Sequence, residues 1–197
     1  MTDEEPDDAA LVQRIVDGDE PAFVELYQRR SRGVYRFALQ MSGSATTAEE
    51  VTQEVFLVLM RDAARFDPAR GSFLSYLYGV TRNHVLRQQR QRPVIALDAR
   101  PDIVETLSGS DDPLVDAMRH QIVATVRRAV LSLPAHYREA VLLCDIEGLD
   151  YKDAARVIDC PIGTVRSRLS RARALLADKL RERLAPVDSR LGMRCAT

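Results

Sequence analysis

In the last third of the chain, Val165, Leu169, Ala172, Leu176 and Leu180 recur at three- and four-residue steps. At about 100° per residue these side chains share one face of a helix, and an aliphatic face that wide must be buried against other elements. The same step recurs from the start of the sequence. Leu11, Val12 and Ile15 show it first, then Phe23, Leu26, Tyr27, Val34, Phe37, Ala38 and Met41. Val51, Val55, Leu59 and Ala63 follow, and then Phe73, Leu77, Val80 and Val85. Later come Met118, Ile122, Val126, Val130 and Leu133, and after them Tyr137, Ala140, Val141 and Cys144. Alternation of β-branched and polar residues is scarce, so an all-α fold is expected.

The breaks between stripes divide the chain. Gly18 and Pro21 separate a first helix from a second that runs to about Ser42. Residues Ser42 to Thr47 read as a loop, with Thr46 or Thr47 as N-cap of a helix from Ala48 to Phe66 and Glu49 and Glu50 in its first turn. Asp67, Pro68 and Gly71 break the pattern, Ser72 opens a fourth helix, and Pro93 ends it. From residue 94 to 113 periodicity is lost. Pro101, Ser108, Gly109 and Ser110 are interspersed there with Asp98, Asp102, Glu105, Asp111 and Asp112, the composition of a flexible acidic linker. The expected organisation is two small helical domains, residues 8–93 and 114–184, joined by the linker at 94–113 and followed by a tail at 185–197.

Composition excludes several functions. A net charge of −1 argues against coating nucleic acid non-specifically, yet the charges are unevenly placed. The beginning is acidic, whereas Arg82, Arg87, Arg90 and Arg92 cluster mid-chain and Arg166, Arg168, Arg171 and Arg173 cluster later. Such local basic stripes point to docking at defined faces. No apolar run is long enough to span a membrane, and the N-terminus lacks the basic-then-apolar order of a signal peptide, so no membrane insertion is expected. Cys144, Cys160 and Cys195 form no CxxC pair, which points to a reduced, cytoplasmic setting. His84, His120 and His136 fall in separate helices, and no phosphate-binding glycine loop or nucleophile elbow occurs. Neither enzymatic activity nor a catalytic residue, cofactor or metal is expected.

The stripe from Val165 onward has a polar opposite side. Gly163 and Thr164 lie in the exposed first turn, followed by Arg166, Ser167, Ser170 and Arg171. Arginine can bond a guanine edge through two N–H groups, serine can take a base or a phosphate, and first-turn amides suit phosphate. The preceding segment, from Tyr151 to Ile158, supplies small Ala154 and Ala155 where two helices must approach closely, and only Asp159 to Pro161 separates the two. That is helix-turn-helix spacing. An ordinary αα-hairpin with a basic exposed face is the alternative that spacing alone leaves open.

Pro161-Ile-Gly-Thr-Val-Arg-Ser-Arg-Leu-Ser-Arg-Ala-Arg resembles region 4.2 of the extracytoplasmic-function (group 4) sigma factors, and Leu133-Pro-Ala-His-Tyr-Arg-Glu-Ala-Val resembles their region 4.1. In the first half, Ala48-Glu-Glu-Val-Thr-Gln-Glu-Val-Phe-Leu-Val-Leu-Met resembles region 2.2, and Phe73-Leu-Ser-Tyr-Leu-Tyr-Gly-Val-Thr-Arg-Asn resembles region 2.3. The resemblance covers roughly residues 8 to 184. It implies a protein that binds core RNA polymerase, at the β′ clamp helices and the β flap, and directs it to promoter DNA. Glu50, Gln53 and Glu54 would then meet the clamp helices. Asn83 and the Asp67–Ser72 loop would serve the −10 element, with Arg82, Arg87 and Arg90 on phosphates. The front of the helix after Pro161 would read the −35 element, and an anti-sigma factor is an expected partner. Asp159 stands where the family has a turn glycine, and Met60 and Tyr76 stand where it has tryptophans. The rival reading from another class is a stand-alone helix-turn-helix regulator that binds operator DNA without polymerase.

Overall fold

A computed structural model describes residues 7–91 and 113–184, with the side chains of α5 from residue 119 onward; the expected linker and tail lie outside the described residues. Every regular element among them is helical. In the first domain, α1 (Asp8–Val16), α2 (Glu20–Ser42), α3 (Ala45–Asp62) and α4 (Phe73–Gln91) bury Leu11, Leu26, Phe37, Val51, Val55 and Leu77 in one core. The Asp19 side chain caps α2 by accepting from the Ala22 amide at 3.3 Å. The carboxylate of Asp8 ties α1 down by accepting from Arg30 Nε at 2.7 Å. Gly43 ends α2 in the left-handed conformation, so that α3 starts two residues later and packs back along it.

The true cap of α3 is Ser44, whose hydroxyl accepts from the Thr47 amide at 3.2 Å. Thr46 and Thr47 therefore sit inside the first turn, and Glu49 and Glu50 fall in the second. The expected third helix also stops short of Phe66: after Asp62 the chain tightens into a 3₁₀ turn at Ala63–Arg65. A second 3₁₀ turn, Pro68–Arg70, is capped by Asp67. Ser72 then caps α4 as expected, accepting from the Ser75 amide at 3.2 Å.

The second domain holds α5 (Pro113–Leu131), α6 (Ala135–Val141), α7 (Tyr151–Ile158) and α8 (Ile162–Leu184). The helix expected to run on from Pro134 changes pitch at Leu142–Ile146, which forms a π turn closed by the Glu147 amide on the Leu142 carbonyl at 2.9 Å. Gly148, at φ 74°, ends it. Leu133, Val141, Leu169 and Ala172 make a local core here, with Tyr137, Cys144 and Leu176 half-buried around it.

Three residues counted in the buried stripes stand out into solvent: Tyr27 is 45 % exposed, Ile122 51 % and Val126 37 %. Tyr27 gives only an edge contact to Phe56, at 4.8 Å between ring centroids.

The two domains are docked together. α7 lies across α4, and α6 meets the end of α2. Arg138, on α6, sends its guanidinium to four carbonyl oxygens: Gln40 at 3.4 Å, Met41 at 3.1 Å, Leu131 at 2.7 Å and Leu133 at 3.1 Å. Burial lowers the pKa of this guanidinium.

Candidate nucleic-acid interface

The Asp150 side chain starts α7 by accepting from the Asp153 amide at 2.7 Å, and Ala154, Ala155, Val157 and Ile158 are buried. The helix ends in a Schellman turn. Asp159 adopts φ 58°, ψ 58°, and the Cys160 amide reaches back to the Ala155 carbonyl at 3.0 Å. An aspartate tolerates this left-handed conformation better than most residues, so the turn forms without glycine. Pro161 leads into α8, with its carbonyl accepting from Thr164 at 2.8 Å.

Val165, Leu169 and Ala172 are buried along the back of α8, while Leu176 and Leu180 are half-buried farther along. On the other side Gly163, Arg166, Ser167, Ser170 and Arg171 are exposed and Thr164 is half-buried. The Arg166 guanidinium lies 5.7 Å from the centroid of the Tyr151 ring, a cation–π contact that steadies a long side chain near the start of the helix. The Ser167 hydroxyl donates to the Thr164 carbonyl at 3.0 Å and keeps its lone pairs outward. Arg173 belongs to a different face: its guanidinium grips Asp145 with two bonds, at 3.0 and 2.6 Å. The six expected residues thus form one surface, with the last turns of the buried stripe behind it.

A second surface is built on α4. Asn83, Arg87 and Arg90 are exposed along it, and burial lowers the pKa of the adjacent His84, reinforced by the charge of Arg87. Next to Asn83 a cavity of about 600 Å³ opens, lined by Arg65, Phe66, Arg70 and Tyr76 of the first domain and by Arg156 and Val157 of α7. Tyr76 packs on Phe66 at 5.7 Å between centroids, so it is both a core residue and part of the cavity wall. Arg82 does not join the exposed arginines: its guanidinium is paired with Glu139 of α6.

A third surface lies on α3, where Gln53 and Glu54 are exposed and Glu50 is half-buried. Cys160 is half-buried against the core, and Cys144 has its thiol pushed up to about 11 by burial and then by the charge of Asp145. The cysteines that are described are thus poor in thiolate at neutral pH at position 144 and packed as apolar groups at both.

Sequence reasoning missed Glu139, Glu147 and Asp153, which reach the first domain. Their partners lie 57 to 111 residues away along the chain, so no local pattern marks them.

Comparison with known proteins places these surfaces in context. Residues 26–93 match the family model for sigma-70 region 2, and residues 124–176 match that for sigma-70 region 4. The chain is 35 % identical over 183 residues to the ECF RNA polymerase sigma factor SigE of Mycolicibacterium smegmatis, covering 89 % of this chain and 70 % of that one. It is 32 % identical over 184 residues to the ECF RNA polymerase sigma-E factor of Haemophilus influenzae, covering 88 % and 95 %. Among solved structures, the sigma factor RpoE in complex with the anti-sigma factor NepR from Bartonella quintana matches with a TM-score of 0.67 and 26 % identity, covering 81 % of this chain and 96 % of that one. No helix among the described residues is long and apolar enough to cross a membrane.

Proposed function

Because this chain belongs to the extracytoplasmic-function sigma factors of the sigma-70 family, we propose that its three surfaces divide the work of promoter recognition by RNA polymerase. It is a promoter-directing factor of the polymerase rather than a stand-alone regulator. The first domain, residues 8–93, carries the polymerase-docking face at Glu50, Gln53 and Glu54, which meets basic residues of the β′ clamp helices. The same domain serves the −10 element through Asn83 at the cavity rim, with the exposed Arg87 and Arg90 on backbone phosphates. The second domain, residues 114–184, lays α8 in the major groove of the −35 element, where Gly163, Thr164, Arg166, Ser167, Ser170 and Arg171 face the DNA, and docks on the β flap. The acidic segment 94–113 connects the two. We place the protein in the cytoplasm, where polymerase works, and expect an anti-sigma factor as a second partner.

The observation that supports this reading is the presence in one chain of two separate exposed arginine-bearing surfaces, on α4 and on α8, with an exposed carboxylate-bearing face on α3. Run-off transcription with purified core polymerase and a promoter library tests it. The expected outcome is specific transcripts only when this chain and the core are both present. Operator binding by the chain alone, with no transcript from the mixture, would return the stand-alone regulator.

Two substitutions probe the first domain. Reversing charge at Glu50 and Glu54 (to Lys) lowers association with core polymerase by about tenfold, roughly 1.4 kcal/mol, and salt weakens the wild-type complex more than the variant. Titration of labelled core polymerase measures both. Asn83→Ala leaves initial promoter binding close to wild type but reduces open complexes about tenfold, near the upper value of one hydrogen bond. Permanganate footprinting reads the bubble, and a normal pattern removes Asn83 from the −10 site.

A further inference from the structure

The two arginines on the α8 front are held differently. Arg171 is exposed, and its side chain makes no hydrogen bond, ion pair or ring contact among the described residues. Arg166 has its guanidinium carbon 5.7 Å from the centroid of the Tyr151 ring, a contact that comes from another helix. Tyr151 is the first residue of α7 and 37 % exposed. Its place is set by that helix: the Asp150 cap fixes the first turn, and Ala154 and Ala155 are buried in the next.

A third arginine shows what the ring is set against. Arg173 lies two turns farther along α8, and its guanidinium is taken up by Asp145 of the π turn, with bonds at 3.0 and 2.6 Å. Asp145 first, by hydrogen bond and charge, and then Tyr151 raise the pKa of Arg173. Tyr151 thus has an anchored guanidinium on one side and a supported one on the other. The two differ in which part of the group is used. A carboxylate takes the in-plane N–H donors, whereas an aromatic ring attracts the cation through the ring face. Contact with Tyr151 therefore restrains Arg166 and leaves its N–H donors for another acceptor. A guanine edge needs two such donors at once. An arginine that searches freely loses rotamer freedom when it makes that pair, and one restrained beforehand loses less.

We propose that Tyr151 is a positioning residue for promoter recognition: its ring aims the Arg166 guanidinium, with the donors free, at one base pair of the −35 element. The inference rests on reading α8 as the −35 helix and names the residue on which the aim of Arg166 depends. It also separates the two front arginines. A change at Tyr151 alters discrimination at the base pair met by Arg166 and leaves the position met by Arg171 as it is.

Holoenzymes carrying Tyr151→Phe, Tyr151→Leu, Arg166→Ala, or Tyr151→Leu with Arg166→Ala are titrated on a promoter selected from the run-off library. Versions of that promoter with each −35 base pair changed in turn are titrated alongside. Phenylalanine keeps the ring, and leucine removes it. Tyr151→Leu is expected to weaken binding about two- to fivefold, the range of one exposed cation–π contact. It flattens discrimination at the same base pair as Arg166→Ala, whereas Tyr151→Phe keeps the wild-type preference there. In the Arg166→Ala background leucine has no further effect, as for two residues that act through one contact. Melting followed by circular dichroism checks each chain, and if Tyr151→Leu melts early, Tyr151→Gln replaces it with the same outcomes read. Unchanged discrimination with leucine, an equal loss whether or not Arg166 is present, or phenylalanine behaving like leucine overturns the positioning role. Unchanged discrimination at every −35 base pair with Arg166→Ala overturns the −35 reading of Arg166 and the role of Tyr151 with it.

Discussion

Leu169→Ala lowers the stability of the second domain by about 2–5 kcal/mol, although the residue faces away from any DNA. Leu169 is 1 % exposed and packs with Leu133, Val141 and Ala172, the local core that holds α8 against α5 and α6. Truncation removes the transfer free energy of the side chain and leaves a cavity that the short helices around it cannot collapse fully. Against a total stability of about 5–15 kcal/mol for an ordinary domain, that loss is large. Thermal unfolding of the full chain, followed by circular dichroism, should show an early transition absent from the wild type. Promoter affinity of the holoenzyme should fall with temperature in parallel. Wild-type melting together with weakened promoter binding would assign Leu169 a role other than packing.

Arg171→Ala is the complementary experiment on the opposite face of the same helix. The side chain is exposed, so unfolding should shift by no more than about 0.5 kcal/mol. Binding of the holoenzyme to its promoter should weaken by about 1–3 kcal/mol if the guanidinium bonds a base edge. The loss should also vanish on a promoter in which that base pair is changed, because a base contact carries sequence information and a phosphate contact does not. Equal weakening on both promoters would move Arg171 to the phosphates.

These two residues mark what sequence could and could not reveal. Periodicity placed Leu169 inside and Arg171 outside, because two residues on α8 differ by about 200° around the helix axis. The same rule assigned Ile122, Val126 and Tyr27 to buried faces. It failed there because period identifies a face, while coverage depends on which neighbour arrives. The cap of α3 was misplaced by two or three residues since Ser44, Thr46 and Thr47 are all competent caps, and only the left-handed turn at Gly43 decides among them. By contrast Ser72 and Asp159 behaved as their chemistry predicts, one as a cap and the other as a left-handed turn residue. The contacts between the domains were invisible because Glu139, Glu147 and Asp153 look like ordinary solvated carboxylates until the fold brings Arg82, Arg36, Tyr78 and Ser72 to them.

Arg138 differs from those side-chain contacts in the nature of its acceptors. All four are main-chain oxygens, which any amino acid supplies, so substitutions at positions 40, 41, 131 and 133 leave the bonds intact. A planar fork is needed only at position 138 itself, and lysine would not replace it. The bonds that join the ends of α2 and α5 therefore depend on one side chain, at position 138, and on no particular side chain among their acceptors.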